Sequence, residues 1–177
     1  MSYDADETTT EYAARRISVR TPAPLWELRR RLEDLVPAVN AAGLTSKASS
    51  GRADWDTIRR EAEASAHYGL CRYATEDPGP LMRLAGSSTE SVAYLLGSPG
   101  IHARLFRLDP STMAGFPLRL EMHAARHGGT VVTVEQPGAR LAAFGINKLT
   151  QAGFELDRIL GDVLEAMDLP RPSALRR

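Results

Sequence analysis

One cysteine, two lysines and no net charge are the scarcities that frame this chain. Cys71 stands alone, so no disulfide can close within the chain and no cysteine-based zinc site can form. Lys+Arg and Asp+Glu are equal at 22 each. No global field therefore draws the protein to nucleic acid or to an anionic membrane, and neither is expected as a partner. No apolar run approaches the roughly 18 residues needed to cross a bilayer. Residues 1–12, MSYDADETTTEY, are acidic and polar where a secretory leader would be basic, and a cytoplasmic address is expected. There is no Gly-Lys-Ser/Thr phosphate loop, no helical H-E-x-x-H pattern and no G-x-S-x-G serine elbow.

What is present is ordinary globular material. Hydrophobic residues make up 43% and charged residues 25% of a 177-residue chain, enough to bury the core of one domain. Lys47 and Lys148 are the only lysines; the other cations are arginine, and alanine is abundant, as a GC-rich bacterial genome gives. Residues 1–13 lack apolar periodicity and read as a flexible tail, residues 14–168 as a single domain, and 169–177 as a loose basic tail.

Ile17 and Val19 alternate with polar neighbours, as in a half-buried strand. Thr21-Pro22 is a capping pair ahead of a helix with Leu25, Leu28, Leu32, Leu35 and Val39 on one face, ended or bent by Pro37. Residues 42–51 read as a loop. Asp54 to Tyr68 reads as a surface helix with a thin stripe of Trp55, Ile58, Ala62 and Ala66. Leu70–Ala74 is a short strand, 76–80 a Pro-Gly turn, and Ser91–Leu96 a strand running into Gly97-Ser-Pro-Gly100 and a short helix to Leu108. Leu118, Leu120 and Met122 alternate with Arg119, Glu121 and His123; Gly128-Gly129 turns the chain into a strand at 130–135. Pro137 to Phe144 suggests a short helix. Leu156, Ile159, Leu160, Val163, Leu164 and Met167 give a long amphipathic helix near the end.

The order predicts an α+β domain, β-α-β(4)-α, TBP-like or helix-grip-like, whose long C-terminal helix packs across an antiparallel sheet. The surface helix is an insertion at 44–69. A cavity between helix and sheet is the expected ligand site.

Several segments carry a family likeness: Leu95-Leu-Gly-Ser-Pro99 at a strand end, Phe116-Pro117-Leu118 opening the next strand, a Gly-rich hairpin, and Pro137 to Leu141. In these the chain resembles the domain of unknown function 302 family, DUF302, also called TT-1751-like, over about Arg15 to Met167. Ser98 stands where that family usually has Asn, and Gln136 where an Asp is common. The resemblance implies a fold closed by a helix and, often, a homodimer. It implies no established chemistry.

Candidate chemistry gathers in four places. Gly97, Ser98 and Gly100 open a helix and could offer backbone N–H groups to a carboxylate or phosphate, or could simply make a tight turn, Pro99 having no N–H to give. Glu121 and His123 share a strand face with Arg119. On a pocket, Glu121 would orient His123 as general base while Arg119 holds an acidic substrate; in solvent they are ordinary surface residues. If the apolar face lines the pocket instead, Tyr94, Leu120 and Met122 touch the ligand. His102, His123 and His127 could alternatively assemble a metal site, or one of them ligate haem. Cys71, with His67 nearby, is either a nucleophile or a buried thiol.

The expectation is a small-molecule-binding protein needing no cofactor. It would serve bacterial biosynthetic metabolism, as an enzyme of isomerase, cyclase or dehydratase type if His102, His123 and Glu121 are catalytic. The alternatives are a histidine-ligated metal or haem protein, and a non-catalytic partner module using Trp55 and Ile58.

Overall fold

The computed structural model describes residues 4–176. Met1 to Tyr3 of the expected N-terminal tail and Arg177 of the C-terminal one lie outside the described residues; residues 4–13 are exposed and form neither helix nor strand.

Five strands make one antiparallel sheet in the order β1-β5-β4-β3-β2: β1 (Arg16–Thr21), β2 (Cys71–Glu76), β3 (Ser91–Gly97), β4 (Leu118–Ala124) and β5 (Thr130–Glu135). Period-two alternation sorts their side chains to two faces. One face carries Ile17, Val19, Tyr94, Leu96, Leu120, Met122, Val132 and Val134, all buried. Onto it pack α1 (Leu25–Leu35), through Leu28 and Leu32, and the twenty-residue α7 (Asn147–Ala166), through Leu149, Leu156, Leu160, Val163 and Leu164. The α+β arrangement with a long C-terminal helix is as expected.

The space between helix and sheet, the expected ligand site, is packed with side chains at the positions named for it. Tyr94, Leu120 and Met122 have no solvent access, and Leu156 and Leu160 from α7 fill the space against them. At the packing density of a protein interior, a large residue at each of these positions leaves no volume for a ligand. Tyr94 and Met122 are therefore core residues. The Tyr94 hydroxyl donates to Glu33 Oε1 at 3.0 Å, which satisfies its polar end.

Other boundaries also shift. Thr21 closes β1, its Oγ1 accepting from the Ala23 N–H, and α1 starts only after Pro24. Of residues 42–51, read as a loop, all but Ser50 and Gly51 belong instead to α2 (Ala41–Ser49), capped by the Asn40 side chain accepting from Gly43 N. α3 (Trp55–Glu63) follows, capped by Asp54. Leu44, Ile58 and Ala62 form a small core between these two helices, distinct from the main one. The Pro-Gly turn at 76–80 runs into α4 (Gly79–Leu84). α5 (Pro99–Leu108), a 3-10 segment at Pro110–Gly115 and α6 (Pro137–Ala142) complete the fold. The C-terminal segment is docked, not loose: Leu169 and Leu175 are buried and Arg171 pairs with Asp162 and Glu165.

Candidate functional site

The sheet's second face is free of α1 and α7 and carries Arg16 and Ser18 of β1, Thr133 and Glu135 of β5, and Arg119, Glu121 and His123 of β4. At one end of this face the chain builds a cleft. The register that sets Leu120 beside Val134 and Arg119 beside Leu95 brings Leu95, Arg119 and Glu135 to the same end of three neighbouring strands. The turn from Ala114 to Pro117, with a cis Phe116–Pro117 peptide, forms one wall; Gln136, Pro137 and Arg140 form the other. The volume enclosed is about 260 Å³.

Arg140 lies along the boundary between this cleft and a second one of about 430 Å³. Its Nε and Nη2 donate to the two oxygens of Glu135, each at 2.9 Å, a bidentate pair that fixes the plane of the guanidinium. Arg119 donates to Glu76 at 2.7 Å. Two guanidiniums thus border the first cleft against the single carboxylate of Glu135 in its lining. Thr10, Tyr12, Asp109, Ser111 and Phe144 help to line the second.

Beneath the cleft lies a buried polar network. Gln136 Nε2 donates to Asp157 Oδ2 at 2.7 Å and to the Ala174 carbonyl at 2.8 Å, and its Oε1 accepts from Arg15. The Gly138 N–H donates to Asp157 Oδ1 at 2.9 Å. Asp157 on α7 thereby caps α6 from across the core. Close approach makes this possible: a Cβ on Gly153 would lie 2.8 Å from Gly138 Cα, so the two helices meet glycine to glycine.

The Gly97-Ser-Pro-Gly100 turn is occupied by the protein itself. Ser98 Oγ accepts from Ile101 N at 3.2 Å, and the Gly100 N–H donates to Glu63 Oε1 of α3 at 3.2 Å. The anion at this helix start is a side chain of the chain's own. Gly97 answers to a steric need, since a Cβ there would sit 2.7 Å from His102 Nε2 and 3.3 Å from the Tyr73 ring. The His102 ring stacks on Tyr73, with centroids 5.2 Å apart, and meets Phe116 edge-on. Its Nε2 is buried without a hydrogen-bond partner, and burial holds its pKa below the ordinary histidine value.

Glu121 and His123 do meet: both carboxylate oxygens lie 3.1 Å from Nδ1. They stand half-exposed on the open face, and neither lines the two clefts. The three-histidine metal set is not assembled. His102 follows the Gly97 end of β3 while His123 pairs with Ser91 at its other end, and His127 lies in the turn beyond β4. Ser91 and Gly97 are six positions apart along β3, about 20 Å. Among the described residues no group of three His, Cys, Asp or Glu comes together to hold a metal ion. Cys71 is buried, donates to the Ala62 carbonyl at 2.9 Å, and desolvation together with Glu63 pushes its thiol up to about 11. That is an inert thiol.

No family model matches the chain, and no curated protein does. Among solved structures it is similar to an uncharacterized conserved DUF302 protein from Bacillus stearothermophilus. The likeness has a TM-score of 0.60 at 14% identity and covers 86% of this chain and 97% of that one. The chain has the DUF302 fold.

In this DUF302 fold, two of the segments that carried the sequence likeness converge on the first cleft: Phe116-Pro117-Leu118, and the helix opened by Pro137. The third, Leu95 to Pro99, contributes Leu95 to its lining. Of the residues singled out by sequence, Arg119 lines the cleft. Arg140, Glu135 and Gln136 had no role in that reading. Gln136 stood out only as a departure from the family pattern, and nothing in local periodicity marks a salt bridge that joins a strand end to the next helix.

Proposed function

We propose that the protein binds a small organic anion of the carboxylate class at the open end of the sheet, with Arg140 and Arg119 as its charge partners. The observation that carries this reading is the convergence of two guanidiniums on one cleft, Arg140 paired with Glu135 inside its lining and Arg119 with Glu76 outside it. A planar, permanently charged fork already held in bidentate geometry loses little freedom on taking up a second carboxylate. Binding needs no cofactor, and the protein works in the cytoplasm as a homodimer.

Titration of the full chain with sodium benzoate, followed by amide NMR shifts, tests the site. Benzoate is expected to move the amides of Gly115, Arg119, Gln136 and Arg140, benzamide to leave them in place, and Arg140→Gln to weaken binding at least about tenfold. Equal shifts from benzamide, or shifts confined to other regions, would overturn it.

A second reading rests on the Glu121–His123 pair, which has the geometry of an oriented general base for proton transfer in an isomerase, cyclase or dehydratase. Arg119 lies two pairs of residues away on the same strand face, about 13 Å along it, so a substrate would have to span that distance. Once a turned-over substrate is found, His123→Gln is expected to cut its rate by at least about a hundredfold. An unchanged rate removes the pair from the mechanism.

A further inference from the structure

The N-terminal segment bears on the same cleft. Residues 4–13 hold four acids, Asp4, Asp6, Glu7 and Glu11, and no lysine or arginine. They form no helix or strand, yet Thr10 and Tyr12 wall the second cleft, which half-buried Arg140 also lines, and Tyr12 lies within electrostatic reach of that guanidinium. At its C-terminal end the segment is pinned: Arg15 donates to Gln136 Oε1 at 3.1 Å, and the Gln136 N–H donates to the Arg15 carbonyl at 2.7 Å. An acidic, exposed segment is thus anchored beside the anion cleft at one end, with its charges carried along the other.

We propose that residues 4–13 form an autoinhibitory strap, whose carboxylates compete with an incoming anion for the field of Arg140 and Arg119. This rests on the anion-binding reading of the cleft. The strap is suited to the role because little holds it in place. Glu7 accepts from Thr9 within the segment itself, every residue from 4 to 13 is exposed, and its attraction to the cleft is therefore mainly electrostatic and open to screening. A charged ligand or raised ionic strength displaces it without breaking the packed core.

The test keeps the full chain and neutralises the strap as D4N/D6N/E7Q/E11Q. At about 20 mM salt this variant is expected to bind benzoate about three- to fivefold more tightly than the parent, the difference closing at about 500 mM. Equal or weaker binding by the variant at low salt, with the parent binding benzoate at the cleft, overturns the strap and leaves the anion site standing. Absence of benzoate binding by either protein overturns the anion site instead. A second measurement needs no ligand. A nitroxide attached through Thr8→Cys, the native Cys71 being buried, is expected to broaden the Gly115 and Arg140 amides at low salt and to release them at high salt. Broadening that does not change with salt, or none at all, overturns electrostatic docking of the strap.

Discussion

At the scale of single residues, His102 and Gly97 explain one another. The imidazole lies against the strand where only a hydrogen stands on Cα, and Tyr73 stacks on the ring's face. Gly97→Ala would ordinarily favour a strand. Here it is expected to cost about 1–3 kcal/mol, because the added methyl overpacks the ring. In a His102→Ala background the same change should cost markedly less, a coupling that urea unfolding of the double-mutant cycle measures. The histidine also carries a pH signature. Burial holds its native pKa below 6.5, so the unfolded chain takes up the proton first. Its contribution to stability is complete above pH 6.5 and is lost as pH falls through the depressed native value. His102→Phe should flatten the stability profile on the acid side of 6.5; a profile that keeps its slope would place the titration elsewhere.

At the scale of elements, the strands and long helices were legible because each presents one apolar face with a clean period. Ile17 and Val19, Leu120 and Met122, and the stripe from Leu156 to Leu164 all lie where periodicity put them. α2 escaped the same reasoning for a physical reason. Leu44 is the single buried residue in its nine, and what starts the helix is the Asn40 cap, a local hydrogen bond with no period. α6 shows how a short helix is held from outside. Its first turn is capped by Asp157 of α7, and Asp157→Ala would leave the Gly138 and Gln136 donors buried without that acceptor. A loss of about 2–3 kcal/mol is expected by thermal or urea unfolding, together with faster amide exchange across residues 136–142. A loss below about 0.5 kcal/mol would mean that water restores the missing acceptor.

At the scale of the whole molecule, the C-terminal residues belong to the main core. Leu175 is fully buried beside α7, although the composition around it suggested a solvated tail. Leu175→Ala is expected to cost about 2–4 kcal/mol, as truncation of a core leucine does, and a near-neutral result would return the segment to the surface. The candidate site is likewise a product of the whole. Arg119 and Glu135 come from β4 and β5, Phe116 and Pro117 from the preceding turn, and Arg140 from α6.

The sequence by itself determined the fold class, the strands of the sheet's core and the long closing helix. Periodicity and charge are local properties, and each of those statements is local. Only the tertiary structure decided which sheet face is filled, that Tyr94 and Met122 face α1 and α7 and not a ligand, and that Glu63 already occupies the turn at Gly100. It also decided that His102 and His123 lie at opposite ends of β3, and that Arg140 stands beside Arg119. These depend on strand register and on how tightly helices close over the sheet, quantities set by packing between residues far apart in the chain.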